Sequence, residues 1–259
     1  MPLDPLPHLK YLDPRSHVEA VTRPLECAVN IPLPELRQRI HELPERSVRI
    51  QVVGPEDLAM RTILTLRGMG RAAEHVSDAS PCERLEVGRL WKPNDFLTSE
   101  LPQEKVGRAL DFGCGTGRDA VFMAAHGWTV DGIDRLPDAV ERAGDLASRY
   151  LPTGRQPSFY VADLKKMPPL EARVYDLITC FFFFEKTIAT RLTAWLKPGG
   201  MFLMEHFTPA HQSAMCKPRR EVYGEEDLKE ILNPLTITSL EEDWRHGAHT
   251  VRLKAECLG

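Results

Sequence analysis

The stretch Asp111–Gly117, DFGCGTG, gathers residue types that can cradle a ligand. Gly113, Gly115 and Gly117 lack a Cβ, so each can take a positive φ and let a ligand approach the backbone, whose N–H groups can receive a carboxylate or a phosphate. Cys114 reads as a small turn residue whose backbone matters more than its thiol. Asp111 sets an acid at the mouth of the turn, close to where a ligand ammonium could sit. A dinucleotide, a phosphate or a sulfonium cofactor could each occupy such a turn. A P-loop is excluded, because no Lys-Ser or Lys-Thr pair follows. For the G-x-G-x-x-G dinucleotide fingerprint, counting from Gly113 ends on Arg118. Counting from Gly115 ends on Ala120, which the relaxed form tolerates, so the glycines weaken that reading and leave it open.

Other chemistry-bearing residues lie downstream, where apolar runs end. Asp134 stands seventeen residues beyond Gly117, and Asp163 closes SFYVAD. Glu205 and His206 end MEHF; either could take a proton from a neutral nucleophile, and such a pair is as often structural. Phe181 to Phe184, in CFFFFEK, could wall an apolar pocket beside a cation through cation–π attraction. A central strand covered on both faces would be equally apolar, and two of the four rings are expected to be core. The six cysteines (Cys27, Cys82, Cys114, Cys180, Cys216, Cys257) contain no C-x-x-C pair, so reduced thiols and no metal site are expected.

The elements that must position these residues alternate regularly from Ala109 onward. RALDF reads as a strand, and GRDAVFMAAHG as a helix with His126 in its last turn and Gly127 just past its end. WTVDGID is a second strand. PDAVERAGDLASRY is a helix with Pro137 near its first position and Ala139, Val140, Ala143 and Leu146 at helical spacing. SFYVAD, VYDLITCFFFF and MFLMEHF are three more strands, the last preceded by the helix TIATRLTAWLKPGG, which Pro198 and the glycines stop. After the helix GEEDLKEIL, the runs LTITSLEEDW and HTVRLKAEC form a terminal antiparallel hairpin turning at Arg245 to Ala248. The expected fold class is α/β: a doubly wound, mostly parallel seven-stranded sheet with an antiparallel C-terminal hairpin, preceded by a smaller α/β domain. The ligand of such a sheet lies beyond the carboxyl ends of the strands, where the glycine turn sits.

DFGCGTG resembles the first motif of class I S-adenosylmethionine-dependent methyltransferases, and the later elements fit that family in order. LDFGCGTGRDAVFMAAHGWTVDGID with WLKPGGMFLMEHF is most similar to the tellurite-resistance type, over about residues 88 to 259. The resemblance implies that Asp111 holds the methionine ammonium, directly or through water, and that Asp134 accepts both ribose hydroxyls. Asp163 would face the adenine amino group, with Arg135, Leu164 and Cys180 and the turn residues Gly113, Cys114 and Gly115 also against the cofactor. Trp91, in RLWKPNDF, would cover the cofactor or pack within a domain. Methyl transfer to a small-molecule nucleophile through oxygen, nitrogen, sulfur or a metalloid oxyanion is the function implied. A non-catalytic S-adenosylmethionine-binding module and a nicotinamide-dependent oxidoreductase are the competing readings.

The preceding residues differ in character. YLDPRS, AVNIPLPELRQRIHELP and VRIQVV, followed by a loop and a helix ending in LRGMG, resemble a rhodanese-like domain in order and spacing. Its catalytic cysteine would fall near Val53, where VVGPEDLAM has none, and Glu56 and Asp57 put negative charge where an anionic sulfur donor would sit. The expected division is residues 1–85, a catalytically silent rhodanese-like domain with linker, and residues 86–259. Leu85, Val87, Leu90 and Trp91 are expected to dock on the second domain. A net charge of −4 gives no general reason to bind nucleic acid. The amino terminus lacks a signal-peptide pattern and no segment approaches a membrane span, so a cytoplasmic protein is expected.

Overall fold

The computed structural model describes residues 4–77, 79–101, 106–163, 170, 172–215 and 221–258. The chain forms two compact units, Met1–Lys92 and Pro93–Gly259.

In the first unit the order is β1 (Tyr11–Asp13), α1 (His17–Thr22), β2 (Ala28–Asn30), β3 (Ile50–Val52), α2 (Glu56–Gly68) and β4 (Ala73–His75), with short 3₁₀ turns at Leu33–Glu35 and Ile40–Glu42. The four strands are parallel, in the order β2-β1-β3-β4. Ser16 opens α1 with a reciprocal capping box to Glu19, satisfying donors that the first turn would leave orphaned. Ala59, Ile63 and Leu66 fall on one face of α2 and pack with Leu12, Ile31, Leu36 and Val52. Beyond β3, Gly54 at φ +106 turns the chain into α2, and its carbonyl meets His75 Nε2 at 3.1 Å. Beneath that turn the buried Asp13 carboxylate takes two bonds from the Arg15 guanidinium, at 2.9 and 2.7 Å. Glu56 and Asp57 occupy the first turn of α2. The expectation that Leu90 docks on the second domain is corrected: Leu90 joins the core of the first unit, where the Leu9 N–H donates to the Arg89 carbonyl and the Arg89 N–H to that of Pro7.

The second unit runs α3 (Asp95–Glu100), β5 (Arg108–Phe112), α4 (Arg118–Ala125), β6 (Thr129–Asp134), α5 (Pro137–Tyr150), β7 (Ser158–Val161), β8 (Tyr175–Phe181), α6 (Lys186–Trp195), β9 (Leu196–Phe207), α7 (Pro209–Met215), α8 (Glu225–Ile231), β10 (Thr236–Arg245) and β11 (Ala248–Glu256). Its seven strands lie in the order β10-β11-β9-β8-β5-β6-β7. Only the pairings of β11, with β10 and with β9, are antiparallel. β5 therefore has β6 on one side and β8 on the other, which makes its carboxyl end the switch point of the sheet. The core centres on Leu110, Phe112, Ile178, Phe202, Val251 and Leu253.

Two expected boundaries are corrected. The helix α6 ends at Trp195 rather than at Pro198, because the residue before a proline is driven out of the helical region. Leu196 to Gly200 instead open β9 with a register shift, pairing Tyr175 with Leu196 and then Leu177 with Met201. β8 ends at Phe181 rather than Phe184, since Phe182 takes a left-handed φ of +55. The terminal hairpin turns through His246 and Gly247, both at positive φ, as a tight two-residue connection requires.

Candidate cofactor and acceptor site

The glycine turn joins β5 to α4 with φ values of +69, +53 and +81 at Gly113, Gly115 and Gly117. Two of the glycines are also required by close packing. A Cβ on Gly113 would lie 2.9 Å from the Phe183 Cβ, and one on Gly117 would lie 2.8 Å from the Ala143 Cβ of α5. At Gly115 the nearest atom is the Gly113 carbonyl at 4.0 Å, so this position is open. The amides of the turn are largely committed internally. Gly113 and Cys114 donate to the Ile133 carbonyl, Gly117 to that of Cys114, and Gly115 to Asp134 Oδ2 at 3.0 Å. The expectation of free turn amides is corrected for these four residues.

Asp134 Oδ1 also accepts from the Leu136 N–H at 2.9 Å, so this carboxylate ties the end of β6 to the glycine turn. Each of its oxygens keeps a second lone pair for a ligand. Asp111 is 2% exposed and lies opposite Thr179 in the β5–β8 register. Its Oδ1 accepts from the Thr179 hydroxyl at 3.0 Å, while Oδ2 is buried with no hydrogen-bond partner among the described residues. Burial pushes the Asp111 carboxyl up to about 8; Asp119 and Asp134 add to the rise, and the Thr179 hydroxyl and Ala120 amide oppose it. Asp119, in the first turn of α4, is pushed up to about 6 by desolvation, against the Asn94 amide that donates to it at 2.7 Å. A buried carboxyl oxygen without a donor, beside further acids, is held towards its neutral form, and a cation bound there would favour the ionised one.

Glu205 and His206 do not act from one place. The pleat of β9 sends them to opposite faces. Glu205 is 3% exposed and committed on both oxygens: Asn94 Nδ2 donates at 3.0 Å, the Thr250 hydroxyl at 2.9 Å, and Arg252 Nε pairs at 3.3 Å. His206 Nε2 meets the Glu221 carbonyl at 3.0 Å, and its ring packs near Tyr223. Of these two alternative bases, Glu205 is committed on both oxygens, whereas His206, donating from Nε2 to a carbonyl, has its acceptor nitrogen at Nδ1 on the other face of the strand.

Of the four phenylalanines, Phe181 and Phe184 are core, at 9% and 3% exposed, whereas Phe182 is 41% exposed. Phe183 lies against Gly113. Cys180 is fully buried and its thiol donates to the Phe183 carbonyl; burial, then Asp111 and Glu185, raise its pKa well above the ordinary value. Cys114 turns its sulfur toward β6, 3.2 Å from where a Gly132 Cβ would stand, and burial raises its thiol too. Arg135 is exposed after β6, and Asp163 is half-buried just past β7. Leu164 lies outside the described residues. Trp91, near the end of the first unit, is fully buried, with the Arg89 guanidinium 5.3 Å from its ring.

The sequence family described as "Methyltransferase domain" matches residues 86–247. The chain belongs to this family. Its second unit is a class I S-adenosylmethionine-dependent methyltransferase domain. A probable thiol methyltransferase 2 of Arabidopsis thaliana is 41% identical over 163 residues, 58% of this chain and 68% of that protein. A ribosomal RNA small subunit methyltransferase C of Alcanivorax borkumensis is 34% identical over 126 residues, 44% of this chain. A 2-heptyl-1-hydroxyquinolin-4(1H)-one methyltransferase of Mycobacteroides abscessus is 30% identical over 114 residues, 42% of this chain. The chain spans only 37% and 49% of the lengths of the latter two. Among solved structures, the N-methyltransferase NodS of Bradyrhizobium japonicum WM9 with S-adenosyl-l-homocysteine has a TM-score of 0.50 at 21% identity, over 62% of this chain and 83% of that one. A methyltransferase from Methanosarcina mazei reaches 0.52 at 17% identity, over 64% of this chain and 99% of that one. At these identities the likeness is one of fold.

The methyltransferase domain fits its cofactor on two observations. Asp111 Oδ2 is a buried acceptor without a donor among the described residues, and Gly115 of the same turn has open space where a Cβ would stand. A cofactor bearing a sulfonium and an ammonium matches the acids there. Several contributors were not singled out from sequence. Gly132 is one: a Cβ there would lie 2.6 Å from the Phe159 ring. Asp119 and Asn94 carried readable signals, an acid in a first helical turn and an N-cap whose side chain accepts from the Phe96 and Leu97 amides. Thr179 carried none, because its role depends on strand register. No helix among the described residues is long and apolar enough to cross a membrane.

Proposed function

We propose that the second unit transfers the methyl group of S-adenosylmethionine to a small-molecule nucleophile, and that a thiol is the favoured acceptor. The buried, donorless Oδ2 of Asp111, at the start of the glycine turn, carries the cofactor part of this reading. When bound, S-adenosylmethionine supplies a sulfonium methyl: an acceptor lone pair forms the new bond to carbon as the carbon–sulfur bond breaks, its electron pair staying on the cofactor sulfur. The chain's own residues hold and align. Asp111 faces the cationic end, Asp134 offers its remaining lone pairs to the ribose, and Asp163, Arg135, Leu164, Cys180 and the turn from Gly113 to Gly115 complete the proposed cofactor wall. Glu205 positions Asn94 and Arg252 rather than taking a proton.

With Glu205 committed on both oxygens and His206 on the opposite face of β9, an acceptor that ionises near neutrality without help from Glu205 is the best match. A thiol does so, whereas an alcohol does not. The thiol named for the Arabidopsis thaliana relative agrees with this. The likeness to tellurite-resistance type enzymes makes a metalloid oxyanion the alternative acceptor. For the first unit, the parallel sheet and the β3–loop–α2 passage without a cysteine support a silent rhodanese-like module, with residues 1–85 as its extent. The free thiols fit a reducing, cytoplasmic setting.

The test is product formation from a methyl-labelled donor across thiols, phenols, amines and tellurite. Methylation confined to thiols is expected. Cofactor binding without turnover on any of them would make this a binding module instead. A calorimetric titration showing NAD binding and no S-adenosylmethionine binding would overturn the reading altogether.

A further inference from the structure

Phe182 stands out at the carboxyl end of β8. It is a bulky non-glycine residue at φ +55, a conformation that side chains with a Cβ rarely adopt and that persists only where its surroundings enforce it. The enforcement is visible: its N–H donates to the Glu205 carbonyl at 2.7 Å, at the level where Phe181 pairs with Glu205. The strained backbone does not bury the ring, which is 41% exposed. It sets the ring 5.1 Å from Phe207 at the end of β9, and Phe207 stacks in turn on His211 of α7 at 4.6 Å and 17°. The next residue, Phe183, lies against Gly113 of the cofactor turn. The two neighbouring rings thus divide the strand end, Phe183 toward the cofactor turn and Phe182 toward the end of β9.

We propose that Phe182, backed by Phe207 and His211, is the acceptor-side wall of the methyltransferase and selects flat, aromatic thiols over aliphatic ones of similar size. This rests on the methyl-transfer reading and narrows its substrate class. A row of rings offers offset and edge-to-face contacts to a planar acceptor that a non-planar one cannot match. The Phe182 and Phe207 rings are uncharged, so they offer a small oxyanion no ion pair. His211 Nδ1 accepts from the His249 N–H at 3.3 Å, which leaves the ring proton on Nε2 and makes His211 a donor in its neutral form rather than a base.

The test uses the full chain loaded with S-adenosylhomocysteine and two probes of the same carbon skeleton, 2-naphthalenethiol and its saturated counterpart decahydronaphthalene-2-thiol, with affinity read by calorimetry. The wild type is expected to bind the naphthalene probe more tightly. Phe182→Gly removes the ring and relieves the backbone, since glycine takes this φ without strain. It should keep the thermal midpoint at or above that of the wild type while the preference falls about tenfold, the size of one good aromatic contact. Phe182→Asn, also tolerant of left-handed φ, should lose the preference, and Phe182→Tyr should retain it. Equal affinity for the two probes in the wild type, or a preference surviving in the glycine and asparagine variants, overturns the proposal. Failure of every form to bind S-adenosylhomocysteine refutes the methyl-transfer reading instead, so the two failures are separable.

Discussion

Replacing Asp111 by Asn should make the cofactor-free protein more stable and the cofactor-binding protein worse. The carboxyl ionises near 3.8 when exposed and at about 8 in the fold, with burial the first cause and the charge of Asp119 the next. Between those values the unfolded chain has released the proton that the folded chain still holds. The unfolded state then binds fewer protons, so stability falls as pH rises from about 4 to about 8. At pH 7 the difference spans roughly three pH units at about 1.36 kcal/mol each, or about 4 kcal/mol against the fold. Asparagine keeps an acceptor for the Thr179 hydroxyl and cannot ionise, so Asp111→Asn should recover much of that and flatten the pH dependence. A cation bound at Oδ2 reverses the preference by favouring the carboxylate, so the wild type should bind S-adenosylmethionine more tightly as pH rises from about 6 to 8, releasing protons. Urea unfolding at pH 5 and pH 8, followed by titration with the cofactor in buffers of different ionisation enthalpy, reads both effects. A variant less stable than the wild type at pH 8, or one that binds the cofactor equally well, would show that Asp111 is an ordinary core group.

Four further outcomes follow from the same geometry. Gly117→Ala combines a φ of +81 with a 2.8 Å approach to the Ala143 Cβ and should cost about 2–4 kcal/mol by urea unfolding; Gly115→Ala, with φ +53 and open space, should cost about 1 kcal/mol. Asp134→Ala releases the Gly115 and Leu136 amides, so it should lose about 2–3 kcal/mol of stability without cofactor in addition to weakening cofactor binding by roughly 1–3 kcal/mol; an effect on binding alone would place the carboxylate outside the turn's support. Asn94→Ala removes the cap of α3 and a bond to Glu205, for about 1–2 kcal/mol, measured by thermal unfolding. Glu205→Gln should leave the pH dependence of kcat in place, because the carboxylate serves Asn94, Thr250 and Arg252; loss of a titrating limb would restore it as a base.

The passage from β5 to α5 was legible because its signals are local. Gly127 at φ +93 ends α4, Pro137 opens α5, and the apolar residues of each element repeat at its own period. In the second unit α3 and α7 escaped: they span 6 and 7 residues, so little of a period registers, whereas α8, also 7 residues, was legible from the acids that crowd its first turn. LKPGG was legible as a stop and not as the bulged start of β9, because a bulge is fixed by the partner strand and not by its own residues.

The site divides in the same way. Asp111, the glycines and Asp134 announce themselves by type and spacing. What they do is settled by partners remote in sequence: Thr179 stands 68 residues from Asp111, and Asn94 stands 111 from Glu205. Strand register brings these together, and a one-residue slip would turn every such pair to the other face. The sites where local rules fail are therefore informative. An acid buried without a donor, glycines held at positive φ and a strained, half-exposed phenylalanine all lie at the carboxyl ends of β5 and β8. Each is unfavourable for folding alone, and a fold that keeps such conflicts together at one crevice keeps them for what binds there.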